Sequence, residues 1–161
     1  MATNNEALSF KIKGTITSYK YGTSDYDPQD AKPMHRVGIA FADGEREKLV
    51  DFCTKNSIYA NTSFIPSWFK PRADHANDDK FINLKSNFDF PVFYKDENAV
   101  DGIAKSTIGD ISSDLGSIVG SEVCVSLAIK EGAVYPSAIA ITKLKVQTFE
   151  SFFGEEDLPF N

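Results

Sequence analysis

The residues in this chain best placed to do chemistry on a ligand pair aromatic rings with basic side chains. Tyr19-Lys20-Tyr21 is one such cluster, Trp68-Phe69-Lys70-Pro71-Arg72 a second and Phe93-Tyr94-Lys95 a third. Rings stack on nucleobases and Lys or Arg pairs with phosphate, so this interleaving suits a single-stranded nucleic acid. A stacked base is worth about 1–3 kcal/mol, and two or three rings would supply useful affinity without sequence preference. The candidate stacking residues are Tyr21, Trp68, Phe69, Tyr94 and Tyr135, and the candidate phosphate contacts are Lys13, Arg36, Lys70, Arg72, Lys85 and Lys95. The plainer reading of the same aromatics, above all the phenylalanines, is core packing or loop anchoring.

Catalytic constellations are harder to assemble. The two histidines, His35 and His75, lack HxH or HExxH spacing, and no metal site is expected. Cys53 falls on the apolar face of a proposed helix and Cys124 among small residues of a strand, so both read as packing residues rather than nucleophiles. With no CxxC pair, neither a disulfide framework nor a zinc knuckle is implied. Phosphate-binding and nucleophile-elbow motifs are missing as well, and the pairs Asp78-Asp79 and Asp96-Glu97 stand beside lysines in polar loops. A binding protein without cofactor, rather than an enzyme, is the expectation.

The second signal lies at the C-terminal end. Thr148–Asn161 holds four acids and no base, and Glu155-Glu156-Asp157 runs directly into Leu158-Pro159-Phe160. An acidic peptide with an apolar tip suits a basic-rimmed apolar pocket on a partner, the charges steering and the Phe anchoring. A solvated, frayed end is the bland alternative. The whole chain carries −6 from 17 bases and 23 acids. Setting the four terminal acids aside leaves 19 acids against 17 bases, a net of −2, on which a basic face is compatible with phosphate binding.

These residues must be positioned by a largely β framework. Leu8, Phe10, Ile12 and Ile16 alternate with polar residues, and the large residues change parity after Gly14, which predicts a bent strand. Val37, Ile39 and Phe41 mark a second strand. Arg46, Leu49, Val50 and Cys53 then fall on one face of a short helix over 45–56, capped at Asp43 or Gly44. Residues 57–80, with Pro66 and Pro71, read as a long aromatic loop. Phe81–Leu84 and Phe88–Tyr94 read as strands, 95–120 as turns, and the stretches from Val123 and from Ile139 as strands, the second bent at Thr142-Lys143. The length of 161 residues, 42% of them apolar, suits one domain over 1–148 followed by a tail over 149–161. No signal peptide or membrane-length apolar run is present, so a cytoplasmic location is expected, in the host cell if the chain is phage-encoded.

Glu156-Asp157-Leu158-Pro159-Phe160 resembles the acidic tip that ends bacterial single-stranded DNA-binding proteins, with Asn161 as an added residue. The body is more similar to phage-encoded single-stranded DNA-binding proteins. There a lysine-bearing strand leads to a Pro-x-hydrophobic segment, as Lys80–Ser86 leads here to Pro91-Val92-Phe93. A Gly-Ser turn likewise precedes a Val-rich strand, as at Gly116–Val123. The resemblance implies an OB-fold, a bent five-stranded barrel with one short helix, here with 57–80 as an insertion. It implies a role in DNA replication, recombination or repair, with residues 155–160 recruiting a polymerase, helicase or nuclease, and it leaves a homodimer open. A phage structural or adaptor β-domain that binds protein through the same tail is the alternative.

Overall fold

The computed structural model describes residues 8–22, 33–59, 65–70, 80–130 and 133–144. Seven strands and two short helices follow one another as β1 (Leu8–Gly22), β2 (Met34–Phe41), α1 (Glu45–Lys55), β3 (Phe81–Ser86), β4 (Pro91–Lys95), β5 (Ile103–Thr107), α2 (Ile111–Leu115), β6 (Glu122–Lys130) and β7 (Ala133–Lys143). The chain is mainly β, as its alternating patterns predict. All seven strands belong to one mixed sheet in the order β3-β2-β1-β6-β7-β4-β5. The expectation of five strands closed into a barrel, with one helix, is therefore corrected. The β4–β5 pair extends the sheet past β7, and α2 adds a second helix. Residues 95–120 were expected to be turns because their Gly and Asp content hides short elements. β5 and α2 occupy five residues each there.

Strand β1 carries the architecture. Its first half, Leu8–Thr15, pairs with β6, and its second half, Gly14–Gly22, pairs with β2, both antiparallel. The two ladders overlap only at Gly14 and Thr15. A Cβ on Gly14 would lie 2.3 Å from the Ala40 carbonyl oxygen and 2.6 Å from Ile39 Cγ2, so only glycine allows this approach. The change of side-chain phase comes three residues later than Gly14 itself. Ile16 pairs with Ile39 and Ser18 with Gly38, which leaves Thr17 as the extra residue of a bulge. The second expected bend is where the alternation puts it, since Glu122 pairs with Lys143 and Val123 with Ile141, leaving Thr142 unpaired. A further bulge at Ser137 has no signature in the pattern.

The core gathers the buried residues of these strands. Ile12, Ile16, Val37, Ile39, Ile82, Leu84, Val125, Leu127, Ile139 and Ile141 are all essentially buried. Helix α1 adds Leu49 and Cys53 to this core, and Phe52 packs on Phe10 with ring centroids 4.7 Å apart. Its first turn is tied to the bend in β1. The Lys13 N–H donates to the buried Glu45 carboxylate at 2.8 Å, and the Ala42 N–H donates to the Lys13 carbonyl at 3.0 Å. The helix ends with Ser57 at φ 55°. There the Ile58 N–H reaches the Cys53 carbonyl and the Ser57 N–H the Thr54 carbonyl, a Schellman closure that turns Ile58 and Tyr59 back onto the core. No helix among the described residues is long and apolar enough to cross a membrane.

Replacing Gly14 by alanine should force β1 and β2 apart. The expected cost is about 2 kcal/mol, read as a fall of roughly 4–8 °C in thermal midpoint for a chain of this size. A midpoint within one degree of the parent would show that the approach at Gly14 relaxes freely.

Candidate nucleic-acid interface

The register of three adjacent strands assembles a basic row. Lys20 on β1 is directly opposite Arg36 on β2, and Arg36 is directly opposite Lys85 on β3. Directly opposed residues project from the same face of a sheet. The burial pattern of β3 identifies that face as the outer one, because Phe81, Asn83 and Lys85 are exposed while Ile82, Leu84 and Ser86 are buried. Neighbouring strands lie about 4.8 Å apart, so the three cations span roughly 10 Å across the sheet. The next row inward is Ser18–Gly38–Asn83, and beyond it Ala40 opposes Phe81.

Arg36 is partly committed. Its Nη1 donates to the Gly22 and Met34 carbonyls, clasping the ends of β1 and β2, while Nε and Nη2 keep three N–H donors. Lys85 is exposed and has no acidic partner among the described residues.

At the β3 end of the row the sheet curls so that β3 approaches β7 without pairing to it. A cleft of about 450 Å³ lies in this seam. Phe81, Asn83 and Lys85 line it from β3, Val134 and Tyr135 from β7, and Tyr59 and Trp68 from the segments around the core. Phe81 is 44% exposed and Tyr135 46% exposed, whereas Trp68 is only 6% exposed. Trp68 packs edge-on to Tyr59 and Phe69, with centroids 6.0 and 5.8 Å away, and against Phe41 at 6.4 Å. Arg46 holds this aromatic segment in place. Its Nε donates to the Trp68 carbonyl at 2.9 Å and its Nη2 to the Phe69 carbonyl at 3.2 Å. Burial raises the Tyr59 phenol well above its ordinary 10.

Of the residues singled out in the sequence, the structure thus brings together Arg36, Trp68, Lys85 and Tyr135. It places others elsewhere. Tyr21 follows Lys20 directly and so projects from the opposite face, where its ring packs on His35 at 4.4 Å. Phe69 is half-buried against Tyr59, and Lys70 is exposed just beyond it. Lys13 stands opposite Cys124 on the β6 side of β1. Tyr94 and Lys95 lie on β4, past β7 in the strand order, and neither lines the cleft. Burial, with Asp114 and Asp96 nearby, raises the Tyr94 phenol. Arg72, His75 and the tail residues Glu155, Glu156, Asp157, Leu158, Pro159 and Phe160 lie outside the described residues. Sequence reasoning passed over Phe81 and Asn83. Their signal was available in the strict alternation of Phe81, Asn83 and Lys85, which puts an aromatic, an amide and a basic side chain on one exposed side of β3.

The opposite face carries a polar cluster. The Tyr19 hydroxyl is 2.7 Å from His35 Nδ1, and His35 Nε2 is 3.8 Å from Asp89. Burial holds the His35 pKa below its ordinary 6.5, with the Asp89 carboxylate opposing, and burial together with Asp89 raises the Tyr19 phenol. Both shifts favour the neutral forms of the two groups, which share one hydrogen bond between the hydroxyl and Nδ1. The two thiols are equally quiet. Burial pushes Cys53 up to about 11, and it raises Cys124 against the opposing pull of Lys11 and Lys13. No cluster of His, Cys, Asp and Glu suited to a metal ion occurs among the described residues.

Comparisons of the chain with protein-family models, with curated proteins and with solved structures find no match.

Two outcomes follow from this geometry. Trp68 is the sole tryptophan, so intrinsic fluorescence reports the aromatic segment directly. Arg46→Ala should shift its emission to the red as the ring becomes exposed, and an unchanged spectrum would show that packing alone seats it. Because the folded His35 pKa lies below the unfolded one, the unfolded chain binds the extra proton first as acid is added. The stability His35 contributes is complete above about pH 6.5 and is lost as pH falls through the folded value. Thermal midpoints across that window should fall more steeply for the parent than for His35→Gln, and parallel curves would rule out the effect.

Proposed function

We propose that this protein binds single-stranded DNA without sequence preference, using the outer face of β1, β2 and β3 and the adjoining cleft. The observation that supports the reading best is the in-register row Lys20–Arg36–Lys85, which leads across three strands to a cleft rimmed by the exposed rings of Phe81 and Tyr135. Single-strand binders combine a basic track for the backbone with rings on which bases stack, and the two stand side by side here. The strand order supports an OB-type reading of the fold. Setting β4, β5 and α2 aside leaves β3-β2-β1-β6-β7, with the outer strands facing each other across the seam. Oligonucleotide-binding barrels, whose strand order this part of the open sheet shares, use the face of their second and third strands together with the loop joining the last two. Arg36, Asn83 and Lys85 occupy that face, and Ala133–Tyr135 begin immediately after the β6–β7 connection. The acidic tip at 155–160 recruits replication, recombination or repair proteins in this reading, which for the tail rests on its sequence.

Fluorescence anisotropy with a labelled oligo-dT of about 30 nucleotides, at low and moderate salt and with a duplex control, tests the proposal. The expected result is submicromolar, salt-sensitive binding that favours the single strand. Lys85→Ala should weaken it and reduce the slope of log K against log salt by about 0.7, the share of one phosphate contact on a single strand. No binding at low salt would remove the nucleic-acid reading and bring forward a protein-binding adaptor domain.

A further inference from the structure

We infer that the cleft between β3 and β7 accepts one nucleobase, turned out from a strand whose phosphates follow Lys20, Arg36 and Lys85. The inference rests on the single-stranded DNA reading above and adds to it a discrete base subsite.

Three features carry it. The first is charge. Among the described residues that line the cleft Lys85 is the sole charged one, and Phe81, Leu84, Val134, Tyr135, Tyr59 and Trp68 supply most of the apolar lining. Such a lining suits a flat, weakly polar group attached to an anion. The second is the disposition of the rings. Phe81 projects from the β3 wall and Tyr135 from the β7 wall, and each leaves almost half its surface exposed although both are large apolar side chains on the sheet. Rings on facing walls present stacking surfaces to a planar group entering between them. A volume of about 450 Å³ falls within the usual range for a small-molecule pocket, roughly 300–1,000 Å³.

The third feature is spacing. Asn83 and Lys85 project from the same face two residues apart, about 7 Å along β3, which matches the reach from a phosphate to its own base. The Asn83 amide forms no hydrogen bond among the described residues, so both its donor and its acceptor are open to a base edge. Gly38 lies between Ser18 and Asn83 in the register. A Cβ there would meet Ser18 Oγ at 2.6 Å, Thr17 Oγ1 at 2.7 Å and Asn83 Oδ1 at 3.3 Å, so the absent side chain lets Asn83 and the two hydroxyls close in over Gly38 beside the basic row. A repeating polyanion fits the row, and one base per crossing fits the cleft.

The test compares two ligands: a short deoxyribose-phosphate oligomer without bases, and the same oligomer carrying a single thymine. Binding to the full-length protein is followed by anisotropy and by quenching of Trp68 emission. The one-base oligomer should bind about tenfold tighter than the base-free one, the increment of a single stacked base, and should alone quench Trp68. Phe81→Ala and Tyr135→Ala should remove that increment, bringing the two oligomers to equal affinity, and Tyr135→Phe should retain it. Lys85→Ala should weaken both ligands alike. Equal affinity for the two oligomers, with oligo-dT still bound in a salt-dependent way, would overturn the base subsite and leave the single-strand reading standing. Failure to bind oligo-dT at all would overturn both.

Discussion

The sheet depends on one close backbone approach, that of Gly14 to the Ala40 carbonyl. β1 must serve β6 with one half and β2 with the other, and the two ladders overlap at this point. Without a side chain at Gly14 the strands meet at van der Waals limits. The Thr17 bulge then turns the second half of β1 so that its side chains change face. Glu45 reinforces the corner from α1, since its carboxylate takes the Lys13 N–H within the first turn of the helix, where the macrodipole favours an anion. The corner, the helix start and the curl of the sheet are therefore one construction.

The candidate site inherits its geometry from that corner. Lys20 shares a face with Arg36 and Lys85 only because the bulge at Thr17 has already reset the phase of β1. A strand without the bulge would turn Lys20 inward and bring Tyr19 and Tyr21 to the basic row. The curl that follows also brings β3 up to β7 and opens the seam in which the cleft lies. Arg46 completes the arrangement from the helix. By binding the Trp68 and Phe69 carbonyls it fixes an irregular segment against the core and satisfies backbone acceptors that sheet neighbours would otherwise take. An arginine at the edge of a helix's apolar face thus works as a clamp.

The balance of charge follows the same logic. The acids of the described body that make close contacts are largely engaged in structure: Glu45 with Lys13 and Lys48, Asp51 with Lys55, and Asp89 with Gly109 and His35. A body near neutrality in total is in this way compatible with a local positive row, since a surface potential depends on where charges stand rather than on their sum.

Much of the framework was legible from residue order. The alternation of Leu8–Ile16, of Val37–Phe41 and of Val123–Ile129 marks strands, the i, i+3, i+4, i+7 spacing marks α1, and the parity change at Thr142 marks a bulge, because period and phase are local properties of a chain. The aromatic and basic residue types were legible for the same reason. Which of them meet was not. Cross-strand register joins Lys20, Arg36 and Lys85 over a span of 65 positions, and no local pattern encodes a partner that distant. Arg46 reaches the Trp68 carbonyl across 22 positions, and Phe81 and Tyr135 meet at a seam between strands far apart in sequence. Residue order by itself determined which segments are strands and which chemistries the chain carries. Only the tertiary structure decided which side chains share a face, because that choice turns on a single extra residue in β1 and on how tightly two backbones can approach.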